Sequence, residues 1–79
     1  MSEEAAAPIG ERIRTARELL GLTQGALAAK VYVTQPAVSQ WEQGKTIPAL
    51  PVQFALADAL RTTRSRLFRE LDARDEAAS

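Results

Sequence analysis

With 79 residues, no cysteine and no histidine, the chain has room for one modest core. It lacks a disulfide framework, the commonest metal ligand and the commonest general base. Ten basic and ten acidic residues leave no formal net charge, and no apolar run is long enough to span a bilayer. The acidic start Met1-Ser2-Glu3-Glu4 has neither the basic region nor the apolar stretch of a signal peptide, so a cytoplasmic protein with no membrane partner is expected.

The zero net charge hides an uneven distribution. Between Pro8 and Arg69 stand nine basic residues, Arg12, Arg14, Arg17, Lys30, Lys45, Arg61, Arg64, Arg66 and Arg69. Only four acidic ones share that span: Glu11, Glu18, Glu42 and Asp58. The compensating carboxylates lie toward the ends, at Glu3 and Glu4, then Glu70, Asp72, Asp75 and Glu76. A basic body of this kind attracts phosphates locally whatever the overall pI.

In chain order, residues 1–7 are polar and alanine-rich without an apolar face and read as a disordered arm. Ile9, Ile13, Ala16 and Leu20 recur at helical spacing and predict a first helix over about residues 9–20, with Gly21 as its C-terminal stop. Thr23 is a good N-cap for a second helix through Lys30, its inner face made of Leu27, Ala28 and Val31. After the tight connection Val31-Tyr32-Val33, Thr34 caps a third helix that ends at Gly44, and Lys45–Pro48 form a loop. Leu50-Pro51 opens a fourth helix, where proline in the first turn forfeits no helical bond. Val52, Ala55, Leu56, Ala59 and Leu60 are its expected buried face. Thr63 caps a fifth helix carrying Leu67, Phe68 and Leu71, and residues 73–79 are expected to fray. The expected fold is an all-α, compact five-helix domain over residues 8–72.

The third helix carries the functional signal. On a wheel of about 100° per residue, Ser39, Gln43, Pro36 and Gln40 follow Gln35 within about 140°. Ala37, Trp41 and Val38 fill the other side. One side anchors the helix, and Trp41 on that side is a packing residue. The other is a strip of uncharged amides and a hydroxyl, where lysine and glutamate are the usual occupants of a solvated helix face. A carboxamide donates and accepts together, as adenine N6 and N7 require, so the strip suits the reading of base edges, and it suits an ordinary polar face equally well.

The segment Thr23–Gly44, TQGALAAKVYVTQPAVSQWEQG, resembles the helix-turn-helix of the lambdoid phage repressor and Cro family, also called the XRE family. The matching features are Gln24 opening helix two, Leu27-Ala28 within it, Thr34-Gln35 opening helix three, then Val38, Trp41-Glu42 and Gly44. The likeness runs outward from Ile9 to Phe68. It implies a lambda repressor-like DNA-binding domain with its helix-turn-helix at about residues 23–43. By this resemblance Gln24 bonds a phosphate and braces Gln35, with Thr23, Thr34 and Gln43 also at the phosphates. Gln35 and Gln40 face the bases, and Ser39 between them touches a base or the backbone. Pro36, where the family commonly has a polar base-reading side chain, is suited instead to apolar contact with a thymine methyl. Lys45 and Thr46 in the following loop either hold phosphates or are simply solvated. Glu42 is implied to pair with Arg17 and so orient helix three, the alternative for Arg17 being a phosphate contact. Helix five, with Leu67, Phe68 and Leu71, is implied as a dimer interface, the same residues being equally suited to an internal core.

There are departures from the family pattern. Tyr32 stands in the turn where the family usually has glycine, which means a strained backbone or a turn of altered shape. Arg61 replaces another usual glycine after helix four. Pro36 removes a hydrogen-bonding side chain from the base-reading face. The cluster Arg61, Arg64, Arg66 and Arg69 has three readings: a solvated face, a phosphate site, or a partner for acids on a second subunit.

Two functions are therefore expected to compete. One is a sequence-specific regulator of transcription, a homodimeric repressor on a pseudo-palindromic double-stranded operator with half-sites about one helical turn apart. The other is an antitoxin-like module whose main partner is a protein such as a toxin, with DNA binding secondary. No activated nucleophile, base or cofactor site is apparent, which argues against an enzyme.

Overall fold

A computed structural model of the chain describes residues 3–72, which fold without a strand among them. Five helices follow in order: α1 (Glu3–Leu19), α2 (Gln24–Lys30), α3 (Gln35–Glu42), α4 (Leu50–Ala59) and α5 (Arg64–Leu67), with a further helical turn at residues 69–72. α3 packs against both α1 and α2, while α5 bridges α1 and α4. Ile9, Ile13, Leu27, Ala28, Val31, Val38, Trp41, Leu56, Leu60, Leu67 and Phe68 form one continuous core between them. None of the described helices is long and apolar enough to cross a membrane.

The helix ends share one design. After α1, α2, α3 and α4 the chain turns back through a bond from the second residue beyond the cap to a carbonyl five residues earlier. These bonds are Leu22 to Arg17, Val33 to Ala28, Lys45 to Gln40 and Thr62 to Ala57, all at 2.9–3.1 Å. This termination needs a left-handed residue at its centre. Gly21 (φ 71°) and Gly44 (φ 76°) supply it without cost, whereas Tyr32 (φ 60°) and Arg61 (φ 58°) supply it with a side chain in place. The Tyr32 question is thereby answered: the turn keeps its shape and the backbone carries the strain. Helix starts are less uniform. Thr23 and Thr63 accept from the N–H groups of Ala26 and Arg66, as expected, but Thr34 makes no such side-chain bond. Pro36 in the first turn of α3 has no N–H to satisfy.

Four expectations need correction. Residues 3–7 are not a disordered arm but the start of α1, which continues through Pro8. Alanine has the highest helix propensity, and the absence of a β-carbon at Gly44 lets the backbone of Ala7 lie against it, with Ala6 buried. The buried face of α4 is turned relative to expectation. Gln53 and Ala57 are buried with Leu56 and Leu60, while Val52, Ala55 and Ala59 sit at the core's edge and Phe54 is exposed. The fifth helix breaks after one turn at Phe68 (φ −119°, ψ 32°). Finally, Leu67 and Phe68 are fully inside this chain's own core, so they are not available as a dimer interface; Leu71 is half-buried against them. The expected fraying at 73–79 lies outside the described residues.

Two of the carboxylates toward the C-terminal end, Glu70 and Asp72, are tied to the body. Glu70 takes a two-pronged ion pair from Arg12, whose Nη1 also donates to the Leu67 carbonyl at 2.6 Å. Arg64 donates to Asp72 and, at 2.9 Å, to the Gln53 carboxamide, which in turn donates to the Pro48 carbonyl. Of the arginine cluster, Arg64 is therefore an internal tie, while Arg61, Arg66 and Arg69 are exposed.

Candidate nucleic-acid interface

The helix-turn-helix places the N-terminal ends of α2 and α3 side by side. Gln24 is the first residue of α2 and Gln35 the first of α3, and the Gln35 Nε2 donates to the Gln24 Oε1 at 2.7 Å. Gln24 in turn donates through its Nε2 to the Glu42 Oε1 at 3.0 Å. The Glu42 carboxylate, with a side chain only 3% exposed, is gripped from behind by Arg17. Arg17 Nε donates to Oε2 at 2.7 Å and Nη2 to Oε1 at 3.0 Å. The remaining arginine nitrogen, Nη1, donates to the Leu22 carbonyl at 2.8 Å, tying in the turn before α2. The hydrogen bonds that Arg17 donates to Glu42, together with the carboxylate's charge, hold the guanidinium above its ordinary pKa despite burial.

Arg17, Glu42, Gln24 and Gln35 thus form one polar chain that starts in α1, crosses the base of α3, and surfaces at the tip of α3. The expected Arg17–Glu42 pair and the brace of Gln24 on Gln35 are both present. The link between them, Gln24 to Glu42, escaped sequence reasoning. Those residues are 18 positions apart on different helices, and no local spacing signals it.

Along the rest of α3, Trp41 and Val38 are buried, as the wheel predicts, and Pro36 and Gln40 are exposed. Ser39 is half-buried, its hydroxyl accepting from the Gln43 Nε2 at 2.8 Å, so these two side chains occupy each other. Thr23, Thr34, Lys45 and Thr46 are exposed, and the Lys45 amide folds back onto the Gln40 carbonyl at 3.0 Å. The loop therefore lies against the end of α3. The surface is a line of carboxamides and hydroxyls with one flexible cation, and no described residues cluster as a metal site.

Comparison with known proteins agrees with this geometry. The chain is 39% identical over 61 residues to repressor protein C2 of Salmonella phage P22, a match covering 77% of this chain and 28% of the repressor. It is 43% identical over 53 residues to the HTH-type transcriptional regulator DicA of Escherichia coli K12, covering 67% of this chain and 39% of that protein. The chain thus spans between about a quarter and two-fifths of the curated relatives it matches. A crystal structure of the P22 c2 repressor in complex with a synthetic operator superposes with a TM-score of 0.75 at 40% identity, covering 76% of this chain and 91% of that one. Hydroxypropylphosphonic acid epoxidase from S. wedmorenis reaches a TM-score of 0.77 at 25% identity, over 85% of this chain but 36% of the enzyme. Residues 13–67 match the Helix-turn-helix family HTH_3, more than half of the chain. By its fold, its paired glutamines and this match, the chain belongs to that helix-turn-helix family, in its Cro and phage-repressor branch.

Proposed function

We propose that the protein is a sequence-specific, double-stranded DNA-binding regulator of transcription that inserts α3 into the major groove. The observation that carries this is the Gln24–Gln35 hydrogen bond, which fixes a solvent-facing carboxamide at the leading end of α3. Gln35 and Gln40 contact base edges, Pro36 meets a thymine methyl, and Ser39 assists from its half-buried position. Thr23, Gln24, Thr34, Gln43, Lys45 and Thr46 bind phosphates around that contact and set its register. The P22 relative is a repressor that was crystallised on an operator, which supports the same role here. The epoxidase likeness covers about a third of that enzyme and supports no catalytic reading.

With few base-reading groups on α3, affinity per half-site is modest and depends on pairing two copies on a pseudo-palindromic operator. Binding-site selection on random DNA tests the reading. A preferred sequence that Gln35→Ala and Gln40→Ala each degrade supports it. Uniform, salt-sensitive binding with no preferred sequence overturns it. Recovery of a stoichiometric toxin-like partner, together with absent sequence preference, would favour the antitoxin alternative instead.

A further inference from the structure

We infer that Glu42 is a positioning residue for base recognition: by fixing which way the Gln24 and Gln35 carboxamides point, it makes Gln35 read adenine and reject guanine. The inference rests on the DNA-binding reading of α3.

A carboxamide is nearly symmetric in shape but not in chemistry, since its oxygen only accepts and its nitrogen only donates. A free glutamine can turn its end group over at little cost. Here the direction is imposed from the inside. Both oxygens of the Glu42 carboxylate accept from Arg17, and the Gln24 group that faces Oε1 at 3.0 Å is its nitrogen, the only donor of a carboxamide. The Gln24 oxygen must then point away, toward Gln35. Gln35 can meet an oxygen at 2.7 Å only with its own nitrogen. Reversing either amide would set oxygen against oxygen. The direction is therefore passed from a buried carboxylate to an exposed side chain without any contact between Glu42 and the surface.

This leaves Gln35 with one N–H and its oxygen for a base. Adenine presents one acceptor, N7, and one donor, the N6 amino group, which that pair matches. Guanine presents two acceptors, N7 and O6. An unbraced carboxamide can offer both of its N–H groups to them. Gln35 cannot, because one is committed to Gln24, and its oxygen would oppose O6.

The test compares the adenine-to-guanine preference of variants at a single base position. Site selection with the intact protein and with Gln35→Ala first locates the position that Gln35 reads. Gln24→Leu then removes the middle of the chain while keeping the buried ion pair. The double change Arg17→Met/Glu42→Met removes both charges together, leaving packing in their place. Thermal melting establishes that each variant is folded, and Gln24→Leu decides the matter should the double variant not fold. The intact protein is expected to prefer adenine by about tenfold or more, and the folded variants to fall to within about twofold. Loss of a phosphate contact by Gln24 lowers binding to both sequences alike and leaves this ratio unmoved, so the ratio separates positioning from mere affinity. An unchanged ratio in the folded variants, or guanine preferred by the intact protein, overturns the inference. Absence of any preferred sequence for the intact protein overturns the DNA-binding reading itself, and the inference with it.

Discussion

Gly10 of α1 meets the Trp41 carbonyl at the end of α3 so closely that a β-carbon there would lie 2.3 Å from the oxygen and 2.7 Å from that of Glu42. The obstruction is backbone on both sides, so no side chain can swing aside. Gly10→Ala gains about 1 kcal/mol of helix propensity. Overpacking against a fixed neighbour costs about 1–3 kcal/mol, and here the larger figure applies. We expect Gly10→Ala to lower the melting temperature by roughly 5 °C or more. It should also loosen α3 against α1. An unchanged melting curve would mean that the two helices do not approach as described.

Tyr32 and Arg61 make the opposite prediction. Both hold a left-handed backbone at the end of a helix, and Tyr32 is 95% exposed, so its ring contributes little packing. Left-handed geometry costs a residue with a side chain about 1–2 kcal/mol, against about 0.4–1 kcal/mol for the extra freedom of glycine when unfolded. Tyr32→Gly is therefore expected to stabilise the fold by roughly 0.5–1 kcal/mol. Chemical denaturation measures it, and a lower midpoint would show that the tyrosine has a stabilising contact.

These residues also mark what the sequence could disclose. Gly21 and Gly44 announce their helix ends because glycine is the usual occupant of such positions, whereas Tyr32 and Arg61 are visible only against a family that has glycine there. Periodicity located α2 and α3 because their apolar residues face one core. It failed for residues 3–7, where alanine gives no apolar stripe and the stabilising contact is the distant Gly44. It failed at Gln53 because a glutamine reads as surface. What buries it is a pair of partners, Pro48 and Arg64, that only the assembled fold brings together. Leu67 and Phe68 lie where one helical turn ends and another begins, too short a stretch for periodicity to separate a core from an interface.

The Arg17–Glu42 pair is expected to respond asymmetrically to mutation. Arg17 is 11% exposed and Glu42 3%, so deleting one member strands a charge that is largely withdrawn from water. Glu42→Ala should destabilise by about 3–5 kcal/mol. Arg17→Met/Glu42→Met should recover most of that loss, since paired removal leaves neither charge uncompensated. Urea denaturation of the two single variants and the double gives the coupling directly. Additive losses would contradict a coupled pair.

Acid should expose the second ion pair. The hydrogen bonds from Arg12, aided by its charge and that of Arg69, hold the Glu70 carboxyl below the usual carboxylate range, against the opposing effect of burial. A folded-state pKa below the unfolded one means that the unfolded chain binds more protons in the interval between them, so stability rises with pH across that interval. The contribution is complete above the unfolded value, near pH 4–5, and is lost as pH falls through the depressed folded value. Arg12 is likewise raised by Glu70 but stays charged throughout, so it adds no pH dependence of its own. Glu70→Gln should therefore lower stability at neutral pH and flatten its decline below about pH 5. Melting temperatures of both proteins between neutrality and about pH 2 test this, and curves that stay parallel over that range would place the acid sensitivity at another carboxylate.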